Sequence, residues 1–326
     1  MTAENFCIVL NDSLVSGPIA TELLKQLPTY APHLVRYLDQ CQSEKTTIEL
    51  SQAKCTAFEY WQLEDAGFTA SMAKHNAALA LLLASEQKKL TKIAADAPLW
   101  LVELVHISPA RDGAALLPAS ALALEPAHNE ALLQSAQALC EGTPFRLSAW
   151  SETHWQLHSD SNHELPPTFA SSALVSRMTV NDWWDQDARS RDWRRFVNEV
   201  QMLYFDHPVN SSRQQQGLPP INSLWPVGGL RPVTWQPTPP NPRHAVFNAL
   251  SESYLRQDWG QWLLELQKID AKIASLLQNP ASPPHLILTN TTEYLCASAQ
   301  APRFWQRFSP FKSSTPSWRN HWLAQS

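Results

Sequence analysis

Residues 193–229 have the sequence WRRFVNEVQMLYFDHPVNSSRQQQGLPPINSLWPVGG, in which a helical half precedes a half rich in proline and glycine. Apolar residues of the first half recur at the spacing of one helix face, which predicts an amphipathic helix from Asp192 to about Asp206. We expect Asp192 to cap this helix and Pro208 to end it. The predicted buried face consists of Trp193, Phe196, Val197, Val200, Leu203 and Tyr204.

The second half predicts a long functional loop over residues 207–232, because five of these 26 residues are proline and three are glycine. Long loops are uncommon in compact domains and are usually functional or disordered. Arg213 offers a planar fork of donors suited to phosphate or carboxylate, and paired glycines let backbone N–H groups approach an oxyanion. Spacing alone slightly favours a stiff connector without a ligand. The candidate ligand-binding residues are His207, Asn210, Arg213, Asn222, Ser223, Gly228 and Gly229, with Arg194 and Gln201 on the preceding helix.

Outside this stretch, short apolar runs alternate with helical segments. Phe6–Leu10 and His285–Leu288 predict buried strands towards the two ends of the chain, and residues 100–117 predict a hairpin. We therefore expect a single α/β domain over residues 1–326, with a mixed, mostly parallel sheet flanked by helices. Residues 96–160 could form a small antiparallel insertion within that domain.

Composition disfavours several classes of partner. Only 17% of the 326 residues are charged and the net charge is −5, whereas proteins that bind nucleic acids usually carry a basic patch. Five widely spaced cysteines without a CxxC pair are typical of reduced thiols. The longest apolar run, Ala77–Ala84, is far short of the roughly 20 residues that cross a bilayer. We expect a cytoplasmic protein without nucleic-acid or membrane partners.

The segment 193–229 resembles the signature of the RpfE-type regulatory proteins, a bacterial family related to the archaeal-type cofactor-independent phosphoglycerate mutases. The resemblance lies in NEVQML, HPVN, a following arginine, NSLW and a glycine pair, and it is weaker in LVELVHISPARDGAALL, HWQLHSD and RFWQRFSPF. It implies a degenerate fold of the alkaline-phosphatase-like superfamily. It also implies a ligand cleft that contains Asn210, Arg213, Asn222, Gly228 and Gly229.

The chain departs from the mutases at the residues that bind metal. The mutases that this segment resembles use two metal ions, a Ser or Thr nucleophile and two late metal-ligand motifs, D-x-x-x-H and D-H. Neither motif is present in this chain in the form that those enzymes use. Asp12 and Ser13 follow the first predicted strand, where such enzymes place a first metal ligand, although Asp is also common in turns. They are weak candidates for catalysis. Strand alternation would place His154 and His158 on one face of a predicted strand, and the outward face is the simplest location for them. We therefore predict no metal site at His154, His158, Asp160 and His163.

Together these observations predict a non-catalytic, phosphoglycerate-mutase-like binding or regulatory protein. Its expected ligand is a small phosphorylated or carboxylated metabolite, and we expect no cofactor. One alternative is a metal-dependent phosphomutase or phosphatase that uses two Mn or Mg ions, with Asp12, Ser13 and His207 as candidates. Another is a protein–protein adaptor whose partner binds the aromatic and basic tail, residues 303–322.

Overall fold

The computed structural model describes residues 6–160, 165–166, 169–238, 244–278, 283–299 and 318–322. The chain divides into two compact units, unit 1 with residues 1–49 and 240–326 and unit 2 with residues 50–239. The elements up to residue 139 are β1 (Cys7–Leu10), α1 (Pro18–Tyr30), α2 (Pro32–Leu38), β2 (Cys41–Thr47), α3 (Leu50–Ala53), α4 (Ala57–Asp65), α5 (His75–Glu86), β3 (Leu99–Ala110), β4 (Gly113–Leu117) and α6 (Pro126–Leu139). They are followed by β5 (Phe145–Ala149), β6 (His154–Ser159), α7 (Ser172–Val175), α8 (Val180–Trp183), α9 (Arg191–Phe205), α10 (Pro208–Gln215), β7 (Ser223–Leu230), β8 (His244–Phe247), α11 (Ser251–Leu255), α12 (Trp259–Leu277), β9 (His285–Thr289), β10 (Glu293–Ala299) and α13 (Trp318–Trp322).

Unit 1 contains a mixed five-stranded sheet with the strand order β2-β10-β9-β1-β8. Strand β1 lies between β8 and β9 and is parallel to both. Strand β10 is antiparallel to β9 and to β2. All four residues of β1 are buried and apolar, as is typical of a strand inside a parallel arrangement. The predicted mixed α/β sheet is confirmed, but two antiparallel strands mean that it is not clearly mostly parallel.

Helix α12 supplies an apolar face to the core of unit 1. Trp262, Leu266, Ile269 and Ile273 follow helical spacing and are all buried. One polar residue, Asp270, is buried on the same helix and accepts hydrogen bonds from the first backbone N–H groups of α2 at 2.8 and 3.3 Å. A carboxylate at a helix N-terminus satisfies donors that have no partner within the helix. Asp270 therefore joins α12 to α2.

Unit 2 contains an antiparallel sheet in which β3 pairs with β4, β6 and β7, and β5 pairs with β6. The predicted helix after Asp192 is confirmed as α9, and its apolar face packs with Phe145 and Trp155 in the core. Ser190, rather than Asp192, occupies the position before the first helical residue. Residues 96–160 contain the antiparallel strands β3 to β6. That the two units form the single predicted domain stays a prediction.

Residues 207–232 do not form a long loop, because they contain α10 and β7. Pro208 is the first residue of α10, where the missing N–H of proline costs nothing, and the ring nitrogen Nδ1 of His207 accepts from the N–H of Val209. Pro226 lies within β7, which pairs only with β3 in the described part of the sheet. Proline is tolerated on such an edge strand. The prolines thus mark a helix start and an edge strand.

None of the helices among the described residues is long and apolar enough to traverse a lipid bilayer.

Candidate functional site

Arg213, the centre of the predicted anion site, is fully buried. Its guanidinium donates through Nε to the carbonyl of Pro219 at 2.9 Å and through Nη1 to that of Ala123 at 3.3 Å. Nη2 donates to the carbonyl of Leu122. The side chain therefore connects α10 to the segments that precede α6 and β7. The guanidinium donors of Arg213, which the sequence predicts to bind an anion, are instead bonded to backbone carbonyls.

Two asparagines of this segment also bond to backbone groups. Asn210 donates to the carbonyls of Tyr204 and Ile221 and accepts from the N–H of Ile221, all at 2.8 Å. Asn222 accepts from the N–H of Ile107 and donates to its carbonyl, both at 2.8 Å. The amide of Asn222 therefore bonds to β3 as a further strand residue would. Both side chains stabilise the entry into β7.

The remaining polar residues of the predicted site have partners within unit 2. His207 Nε2 lies 2.9 Å from Ser135 Oγ, and Gln201 Nε2 donates to Ser223 Oγ at 3.0 Å. Arg194 donates through Nη1 to two backbone carbonyls just before α9. Burial lowers the pKa of His207, which disfavours the positively charged form of its ring.

The paired glycines are required by close packing. A Cβ on Gly228 would lie 2.4 Å from the carbonyl oxygen of Leu99 and 2.5 Å from Ala80 Cβ, and one on Gly229 would lie 2.6 Å from the ring of Trp100. Both glycines also have φ above 100°, a region that favours glycine. The signature residues lie together in one part of unit 2, where they form hydrogen bonds with other parts of the protein or pack closely against them. Anion binding by these residues stays a prediction.

A second group of polar residues lies at the carboxyl ends of the parallel strands of unit 1. Asn11, Asp12 and Ser13 follow β1, Thr289 ends β9 and Asn290 follows it; each of the five is at most 9% exposed. Ligands of open α/β sheets bind outside the carboxyl ends of the strands. We call these five residues the carboxyl edge.

The backbone of Asp12 has a φ of 56°, in the left-handed region. Aspartate tolerates this conformation better than most residues, and such strained residues cluster at functional sites. Its N–H donates to Thr289 Oγ1 at 3.3 Å, and the same hydroxyl donates to Asn11 Oδ1 at 2.9 Å. The hydroxyl of Ser13 donates to the carbonyl of Leu10 at 2.8 Å. Bonds between β1 and β9 thus hold the turn at Asp12.

Two indole groups hold the carbonyls of this turn. Trp262 Nε1 donates to the carbonyl of Asp12 at 2.9 Å, and Trp322 Nε1 donates to that of Ser13 at 3.0 Å. Trp322 and Trp318 belong to the predicted partner-binding tail, yet both are buried in the core of unit 1. Residues 303–317 of that tail lie outside the described residues.

The two metal ions implied by the resemblance do not fit the carboxyl edge. Asp12 is the one carboxylate among its five residues, and Asn290 Oδ1 already accepts from the N–H groups of Thr292 and Glu293. No group of three or more His, Cys, Asp or Glu residues that could hold a metal ion occurs within the described residues. A single Mg²⁺, which needs one or two carboxylates and completes its shell with water or substrate phosphate, is compatible with Asp12.

The other histidine-rich stretch follows the strand alternation predicted for it. His154 and His158 share one face of β6, opposite its buried residues. His154 Nε2 lies 4.0 Å from Glu103 Oε2, and burial lowers the pKa of His154 although the nearby carboxylate opposes that shift. Asp160 pairs instead with an arginine of β5. His163 lies outside the described residues.

The sequence pointed to Asp12 and Ser13 but missed the roles of Asn11, Trp262 and Trp322. A polar residue directly after each of two buried apolar runs is the signal that could have joined Asn11 to Thr289. No local signal identifies the indoles, because Trp262 Nε1 is 250 residues and Trp322 Nε1 309 residues from the carbonyl that accepts its hydrogen bond.

Two archaeal proteins are among the solved structures similar to this chain. The first is a cofactor-independent phosphoglycerate mutase from Thermoplasma acidophilum, with 12% identity, a TM-score of 0.36 and coverage of 91% of this chain and 90% of that one. The second is the PH0037 protein from Pyrococcus horikoshii, with 11% identity, a TM-score of 0.35 and coverage of 90% and 87%. No family model and no curated protein matches the chain.

Proposed function

We propose that this chain is a non-catalytic binding protein with a regulatory role. Its ligand is a small phosphorylated or carboxylated metabolite, bound with one divalent cation at Asp12. The observation that carries this proposal is the carboxyl edge, where one buried carboxylate lies among neutral amides and hydroxyls at the ends of parallel strands.

Electrostatics explain why a cation belongs to the proposal. Two negative charges about 4 Å apart repel each other by about 4 kcal/mol at an effective dielectric constant of about 20. A divalent cation between the carboxylate of Asp12 and an anionic metabolite would offset this repulsion. Mg²⁺ commonly joins a protein carboxylate to a substrate phosphate in this way.

The same residues support binding without turnover. In phosphoryl transfer with two metal ions, both ions are needed to stabilise the attacking and the leaving oxygen. The carboxyl edge has a carboxylate for only one of these ions. The hydroxyl of Ser13, which follows Asp12 in the sequence, is fully buried and donates back to the carbonyl of Leu10. It is therefore committed to the turn.

The experiment is a thermal-shift titration with 3-phosphoglycerate, inorganic phosphate and citrate, each with and without Mg²⁺. We expect stabilisation only when anion and Mg²⁺ are both present, since a ligand at 100 times its Kd stabilises the native state by about 2.7 kcal/mol. Asp12→Asn should abolish this effect. The matched control is Glu22→Gln, which changes an exposed carboxylate of unit 1 that pairs with Lys25.

Three outcomes would contradict the proposal. One is the absence of stabilisation by any of these anions with Mg²⁺. A second is stabilisation that needs no Mg²⁺ and survives Asp12→Asn, which would favour the anion site predicted at residues 207–229. A third is Mn²⁺-dependent turnover of the phosphorylated compound, which would favour the metal-dependent enzyme.

A further inference from the structure

Two helices far from Asp12 in the sequence hold the turn that contains it. Trp262, from α12, and Trp322, from α13, each donate one indole N–H to successive carbonyls of the turn, those of Asp12 and Ser13. Asp12 itself is fully buried. A ligand therefore reaches its carboxylate only after some part of this arrangement moves.

Helix α13 bonds to the turn through Trp322, and to β2 and the residue after α2 through two further polar contacts. Its two tryptophans are also buried in the core of unit 1. His321 Nδ1 lies 2.5 Å from Ser43 Oγ of β2, and the N–H of Trp318 donates to Asp39 Oδ1 at 3.0 Å.

We propose that α13 is a strap that fixes the turn at Asp12 and Ser13, and that its release opens the carboxyl edge. The claim that α13 fixes the turn depends only on hydrogen bonds within unit 1. The claim that its release admits a ligand rests on the proposed function. Release need not unfold the sheet, because the bonds of Asn11, Asp12 and Leu14 to β8 and β9 do not involve α13.

The test is amide hydrogen exchange of the full chain without any ligand, followed for the amides of Asp12 and Leu14. Trp322→Phe keeps a buried aromatic ring and removes the indole N–H that bonds Ser13. Since one hydrogen bond contributes about 1 kcal/mol, we expect exchange at these two amides to become about threefold to tenfold faster. Trp318→Phe is the matched comparison, because it trims a buried indole of the same helix without removing a bond to the turn, so exchange at Asp12 and Leu14 should be faster in Trp322→Phe than in Trp318→Phe.

Equal exchange of the turn in the two variants would overturn the proposal. If Trp322→Phe fails to fold, Ser43→Ala provides the second test, because it removes only an outer attachment of α13 at a residue on the surface. That variant should also speed exchange at Asp12 and Leu14, and unchanged exchange would overturn the strap. Because no ligand is used, this result is independent of whether Mg²⁺ and a metabolite bind.

Discussion

Replacing Arg213 by alanine separates a structural role from ligand binding. The guanidinium is fully buried and donates to the carbonyls of Leu122, Ala123 and Pro219. Hydrogen bonds that involve a charged group contribute about 1.5–3 kcal/mol each, and these contributions are not additive. The truncation also removes the guanidinium that bonds to the carbonyl of Leu122, a fully buried residue. We expect the free energy of unfolding of unit 2 to fall by about 3–5 kcal/mol.

The assay is urea denaturation followed by far-UV circular dichroism and tryptophan fluorescence, in the absence of anions. Arg195→Ala is the matched control, since its side chain is 82% exposed and pairs with Glu199 at 3.1 Å on the same helix. Such surface pairs contribute about 0.3–0.5 kcal/mol. Arg213→Lys keeps the charge but loses the planar fork, so its loss should lie between those of the other two variants.

A loss below about 1 kcal/mol for Arg213→Ala would refute this reasoning, because removal of one partner of a buried hydrogen-bonded group costs more than that. If the same variant also lost stabilisation by phosphate, the residue would be a ligand-binding one, as the sequence predicts. Normal stabilisation by anions in a weakened protein would support the structural role.

Two further predictions concern the packing of glycines and the pH dependence of stability. Gly228→Ala and Gly229→Ala should each lower the free energy of unfolding by about 2 kcal/mol or more, because the new Cβ lies within 2.6 Å of other atoms at a positive φ. Gly260→Ala in α12 should instead stabilise by about 0.5–1 kcal/mol, and urea denaturation compares the three. Burial lowers the pKa of His75 to about 4, whereas the unfolded state protonates near 6.5, so stability is complete above pH 6.5 and falls as the pH drops towards 4. His75→Phe keeps the stacking on Tyr60 and should remove about 2–3 kcal/mol of that dependence; an unchanged difference between pH 7 and pH 4 would contradict it.

Much of the local structure could be predicted from the chain alone. The strands at Cys7–Leu10 and His285–Thr289 and the amphipathic helix α9 follow from short-range apolar patterns, which reflect the faces that these elements bury. For residues 207–232 the sequence predicts a loop, whereas the structure contains α10 and β7, because proline has two other favourable places, the first turn of a helix and an edge strand. Which of these positions a proline occupies depends on pairing with neighbouring strands, which the local sequence pattern does not show.

The candidate site shows the same division. That Asp12 follows a buried strand is a property of the sequence, and so is the presence of Arg213 and a glycine pair after a helix. The burial of Arg213 against backbone carbonyls, and the contact of the glycines with Leu99 and Trp100, were decided only by the tertiary structure. The physical reason is that a donor's partner is selected by proximity in three dimensions. Residues far apart in the chain, such as Trp322 and Ser13, become partners only when the sheet and its helices have packed.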